Sequence, residues 1–139
     1  MKRVYKTVFV CWALVFIISC DKNTDETYEI YNTLENIVNI DFFKYGVISD
    51  ESIQVSGIGI LKTKTVSKFS NHFGSFMKAD SVRIIFDGNR VQIFSFTTDF
   101  NEEGSILDEN NYLLEGGNFV YKITQENYDN ATPCDGDCD

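Results

Sequence analysis

The chain has 139 residues and a formal net charge of −9, with 43% hydrophobic and 24% charged residues, four cysteines and one histidine. That length suits one domain with a real core and is too short for two. The acidic balance repels phosphate and so argues against nucleic acid or anionic headgroups as partners, while a lone histidine leaves few routes to a catalytic triad or a histidine zinc site.

Lys2, Arg3 and Lys6 form a basic opening, and an unbroken apolar run follows from Val8 to Ile18. The run is shorter than the about 20 residues of a spanning helix and suits the hydrophobic region of an export signal. It ends in Ile17-Ile18-Ser19-Cys20, which resembles the bacterial lipobox. The resemblance implies that residues 1–19 are a signal peptide removed before Cys20, and that Cys20 carries diacylglycerol on its thiol and an acyl chain on its new amino end. Each buried CH₂ contributes about 0.8 kcal/mol, so one chain holds weakly and several hold stably. The polar stretch at 20–26 reads as a tether with too little apolar content to fold. Its acids also resemble the patch that Bacteroidetes lipoproteins carry behind the lipid cysteine for surface export.

Cleavage there leaves 120 residues with nine basic and 21 acidic side chains, a formal charge of −12. Cys11 departs with the signal and Cys20 is committed to lipid. Cys134 and Cys138 remain, and outside the cytoplasm they are a candidate disulfide. Its five-residue ring would staple only the tail at 133–139, so the single domain at 27–132 has to rest on apolar burial. Ten Phe and six Tyr are available for that core.

From residue 27 the texture is β. Tyr28–Tyr31 and Ile37–Phe43 are rich in β-branched and aromatic residues, and Ser52–Ser56 alternates as a half-buried strand does. Lys62–Ser67 alternates with polar residues on both faces, the pattern of an edge strand guarded by lysine. Ser81–Phe86 and Val91–Phe96 flank Asp87-Gly88-Asn89-Arg90, a hairpin signal. Either two-residue loop, Asp87-Gly88 or Gly88-Asn89, places Val82, Ile84, Phe86, Val91 and Ile93 on one face, the expected core side. Arg83, Gln92, Ile85, Phe94 and Phe96 then fall on the other. Ser105–Asp108 could open a short helix through a capping box. Gly116-Gly117 reads as a turn, Asn118–Thr124 as a strand, and Thr124–Tyr128 as a helical turn. The expectation is an all-β, mainly antiparallel fold: a small sandwich or barrel of about seven short strands with one or two short helical turns at most.

The succession Asp80–Phe86, Ser105-Ile106-Leu107 with Asn111-Tyr112, and Tyr121–Thr124 with Tyr128 and Ala131 resembles small Bacteroidetes lipoproteins. The likeness covers much of the chain after Cys20. It implies origin and an envelope location, and it carries over no activity and no catalytic residue.

Several constellations invite chemistry. His72, in the turn-like Ser70-Asn71-His72-Phe73-Gly74, reads as an ordinary loop histidine. Glu102-Glu103 and Asp108-Glu109 are acidic pairs of the kind glycosidases use, yet neighbouring acids on loops are usually solvated charge. Asp135, Asp137 and Asp139 echo the start of a calcium loop without its later ligands. Cys134 and Cys138 alone do not close a tetrahedral metal site. Gly57-Ile58-Gly59 lacks the rest of a dinucleotide fingerprint. Asp80-Ser81-Val82 resembles the Bacteroidetes O-glycosylation motif, and Asn130-Ala131-Thr132 fits the N-glycosylation sequon. The expectation is therefore no cofactor, no metal and no catalytic residue. The chain reads as a membrane-anchored envelope lipoprotein, expected at the outer membrane. Its domain is expected to bind a protein, peptide or glycan. A small envelope enzyme or enzyme inhibitor is the alternative.

Overall fold

Alternation along the strands decides which side chains meet. In β1 (Glu26–Asn32) the inward set is Tyr28, Ile30 and Asn32; in β2 (Ile37–Lys44) it is Val38, Ile40 and Phe42. The computed structural model describes residues 25–67, 71–96 and 104–138, and the residues described carry nine strands in two sheets. The others are β3 (Val47–Ser56), β4 (Gly59–Val66), β5 (Ser81–Phe86), β6 (Arg90–Ser95), β7 (Leu113–Glu115), β8 (Asn118–Ile123) and β9 (Thr132–Pro133). One sheet has the order β4-β1-β8-β7 and the other β3-β2-β5-β6-β9. All pairings are antiparallel except β1 with β8, which is parallel. The expected all-β sandwich is what forms, with the core between the sheets and two strands more than the sequence pattern revealed. The additional pieces are very short, β9 with two residues and β7 with three.

Two short helices close the sandwich. Helix α1 (His72–Met77) replaces the expected turn-like stretch. Asn71 caps it by accepting from the Gly74 N–H at 3.1 Å, and Phe73, Phe76 and Met77 are buried. Those rings meet Tyr28, whose ring lies 5.8 Å from Phe73, 5.4 Å from Phe76 and 5.1 Å from Phe119. Helix α2 (Gln125–Asn130) forms where a helical turn was expected, with Thr124 and Asn127 in a reciprocal capping box. Ser105 does not open a helix: it is fully buried, and Asp108 caps a single 3₁₀ turn, Glu109–Asn111. Strand β4 is an edge strand as expected, although Lys62 and Val66 are buried. The Lys62 ammonium sits 4.0 Å above the Phe42 ring, an arrangement that keeps its charge solvated by a π face.

The β5–β6 hairpin corrects the expected register. Its loop has three residues, Asp87-Gly88-Asn89, so Arg83 pairs with Ile93 and Val82 with Phe94. Phe94 therefore enters the core, and Ile93 is 60% exposed. An odd loop inverts the parity of everything beyond it. Neighbours hold that loop in place. Asp87 accepts from the Ile37 N–H at 2.9 Å and from Asn36 Nδ2 at 2.5 Å. The Cys134 N–H donates to Asn89 O, and the Cys138 N–H to Gly88 O. Asp87 and Gly88 both have positive φ, which the Asp-Gly pair tolerates. The segment after residue 132 is thus no loose tail: Pro133 pairs with Arg90, Cys134 and Cys138 are joined by a disulfide, and Cys138 is buried. Glu26, assigned to the tether by the sequence, already lies in β1.

Candidate functional site

The outer face of the five-stranded sheet follows from the same alternation. With Val38, Ile40 and Phe42 turned inward, β2 presents Ile37, Asn39, Asp41 and Phe43 outward. Register then places Ser52 and Arg83 beside Asp41, Gln54 and Ile85 beside Asn39, and Ile93 beside Arg83. Arg83 lies on the face away from the core, as expected. Its Nε and Nη2 both donate to Asp41 Oδ2, at 2.9 and 2.7 Å, while Ser52 donates to Asp41 Oδ1 at 2.5 Å. The Asp41 side chain is only 9% exposed, so the pair is largely withdrawn from water and less screened by salt than an open surface bridge. A depression of about 370 Å³ opens over Asn39, Asp41, Ser52, Gln54, Arg83 and Ile85. Asn39 Oδ1 is shielded from solvent and has no hydrogen-bond partner. Around this polar centre stand Ile37, Ile48 and Ile93, 41%, 50% and 60% exposed. Burying an aliphatic side chain contributes about 1.5–3 kcal/mol, so three left in water are a reserve for association.

A second cluster gathers four titratable side chains, Glu26, Tyr28, His72 and Glu109. The Tyr28 hydroxyl donates to Glu109 Oε1 and lies 3.3 Å from Glu26 Oε2. His72 Nδ1 is 3.4 Å from the same Glu26 oxygen without the alignment of a hydrogen bond. Burial is the main cause that raises the Tyr28 pKa far above the ordinary phenol value, and the Glu109 bond and the two carboxylate charges add to it. A phenol held neutral is a poor nucleophile, and Tyr28 has no exposed surface for a substrate to reach. The cluster ties β1 to the 3₁₀ turn through Glu109, with His72 of α1 beside it.

Sequence-predicted residues are thus partly brought together. His72 and Glu109 lie on either side of Tyr28, whereas Asp108 serves as the cap of its own turn. Neither Glu26 nor Tyr28 was singled out by sequence, because nothing local marks a pair brought together across the fold. Cys20, Glu102, Glu103 and Asp139 lie outside the described residues. Asp135 and Asp137 are exposed, and among the described residues no three His, Cys, Asp or Glu side chains converge as metal ligands would. Ser81 opens β5 with its hydroxyl 3.4 Å from Asp80 Oδ1. Comparisons with protein families, curated proteins and solved structures find no match.

Proposed function

We propose that this chain is a lipid-anchored envelope protein whose domain binds a protein partner and catalyses no reaction. The observation that carries the binding reading is the outer face of the five-stranded sheet, with exposed Ile37, Ile48 and Ile93 around the Asp41–Arg83 pair. Apolar side chains around a held arginine match the composition of protein interfaces, and a broad shallow face suits a folded partner better than a small molecule. Lipid on Cys20 would confine the domain to a membrane, expected to be the outer membrane, and raise the effective concentration of a weak binder. A charge of −12 after cleavage favours a neutral or basic partner, with association weakening as salt rises.

Two experiments test the two halves of the reading. Cys20→Ala should abolish entry into the detergent phase on phase partition; unchanged partition would remove the anchor. A photo-crosslinking residue placed at Ile93 or Ile48, in the envelope of the producing cell, should give a discrete protein adduct. The same residue at Thr63, on the other sheet, should give none. Equal adducts at all positions, or none at Ile93 and Ile48, would reject this face as the docking surface.

A further inference from the structure

A groove of about 350 Å³ runs between β6 of one sheet and β7–β8 of the other, with α2 along its side. Its volume is in the range of small-ligand sites, about 300–1,000 Å³. Its chemistry differs from that of the acidic protein around it. The polar part of its lining is mainly side-chain amide and hydroxyl, from Gln92, Asn111, Asn127, Asn130, Tyr121 and Thr124. Asn127 is its fixed centre: its Oδ1 accepts from the Thr124 N–H at 2.9 Å, and its Nδ2 donates to Tyr121 Oη at 3.1 Å and to Gln92 Oε1 at 3.2 Å. The Tyr121 hydroxyl in turn donates to Gly104 O at 2.7 Å. Burial, opposed in part by the Asn127 bond, pushes the Tyr121 pKa up to about 12, so this phenol stays neutral.

These bonds occupy part of the polar lining and leave part of it free. Asn111 Nδ2 is held by Ser105 O at 2.8 Å, which leaves its Oδ1 available. Gln92, held through Oε1, keeps Nε2 available. The side chains of Asn130 and Glu126 have no hydrogen-bond partner among the described residues. Lys122 is occupied by Glu115 at 2.7 Å. The groove therefore offers oriented donors and acceptors, one carboxylate, and an apolar strip at Leu113 and Val120.

We infer that this groove binds an uncharged carbohydrate, the end of a glycan chain. Sugar hydroxyls donate and accept in alternation, as the free amides do, and a sugar ring's C–H face fits an apolar strip. The Glu126 carboxylate disfavours anions and accepts from hydroxyl pairs, while a purely apolar ligand would strand the amides. The inference does not depend on the sheet-face reading, because the groove shares no residue with that face.

The test uses the full chain, ¹⁵N-labelled, in phosphocholine detergent, which offers no sugar. Maltotriose, chitotriose and mannotriose are the neutral probes, with sialyllactose and trialanine as controls. At least one neutral probe should shift the side-chain amide signals of Gln92, Asn111 and Asn130 saturably. Glu126→Ala, and separately Asn130→Ala, should weaken that binding by roughly tenfold while the rest of the spectrum keeps its dispersion. Absence of shifts with all three neutral probes overturns the inference. So does equal binding of sialyllactose or trialanine, or unchanged affinity in both variants.

Discussion

Replacing Asn32 by Ala removes four hydrogen bonds from a side chain with no solvent exposure. Asn32 Nδ2 reaches Leu34 O at 3.1 Å, Asn36 O at 3.3 Å and Gly57 O at 2.8 Å, and Oδ1 accepts from the Leu34 N–H at 3.0 Å. This one residue thereby joins the β1–β2 loop to the β3–β4 turn. In the variant Asn36 O keeps the Gly57 N–H, so the chief loss falls on Leu34, whose buried N–H and C=O both lose their Asn32 partner. Each orphaned group costs about 1–3 kcal/mol, so Asn32→Ala should lose about 2–6 kcal/mol. Whole domains are stable by only about 5–15 kcal/mol, so the shift is large. Urea denaturation measures it, with exposed Thr63→Ala as control. Asn32→Asp keeps the acceptor but turns a negative charge toward three carbonyls, and should be at least as destabilising. A midpoint for Asn32→Ala within about 0.5 kcal/mol of the parent, at unchanged slope, would refute the closing role of this residue.

The hairpin register predicts unequal effects for two similar residues: Ile84→Ala should cost about 2–5 kcal/mol and Ile93→Ala within about 0.5 kcal/mol. Equal denaturation midpoints would return Ile93 to the core. Arg83→Ala should destabilise by more than an ordinary surface change because it leaves Asp41 withdrawn from water without its cation, and adding Asp41→Ala should recover part of the loss; a strictly additive double variant would deny the coupling. Tyr121, raised to about 12, together with Tyr28 and Tyr112, both also raised chiefly by burial, sets the alkaline limit. With folded values above the unfolded one near 10, their contribution is complete below about pH 10 and is lost as pH rises toward each folded value, the Tyr121 share by about 12. Melting temperature should fall across that window, with phenolate absorbance at 295 nm rising together with unfolding. Full tyrosine ionisation in a still-folded protein would contradict this.

Local chemistry made the hairpin, the Gly116-Gly117 turn, the final strand and α2 legible. Strand spacing and β-branched content likewise indicated the sandwich. The hairpin's parity was not legible, because Asp87 reaches back to Asn36 and Ile37 and the Cys134–Cys138 segment reaches in from the chain end. Helix α1 was missed since a single turn shows too little period to register. The sheet-face centre drew Asp41, Ser52 and Arg83 from three strands, and the groove drew on β6, β8 and α2. Such convergence leaves no spacing in a linear sequence.

The parallel pairing of β1 with β8 has a consequence for when the fold can form. β1 occupies an inner position, with Ile30 beside Tyr121 and Tyr31 beside Lys122. The first described strand thus waits for almost the last one, a long-range closure that slows folding. Such a delay suits the export proposed above, in which the chain crosses a membrane as an extended thread. The sheet stays open until its C-terminal stretch arrives, and then the near end of the domain is locked by the far one.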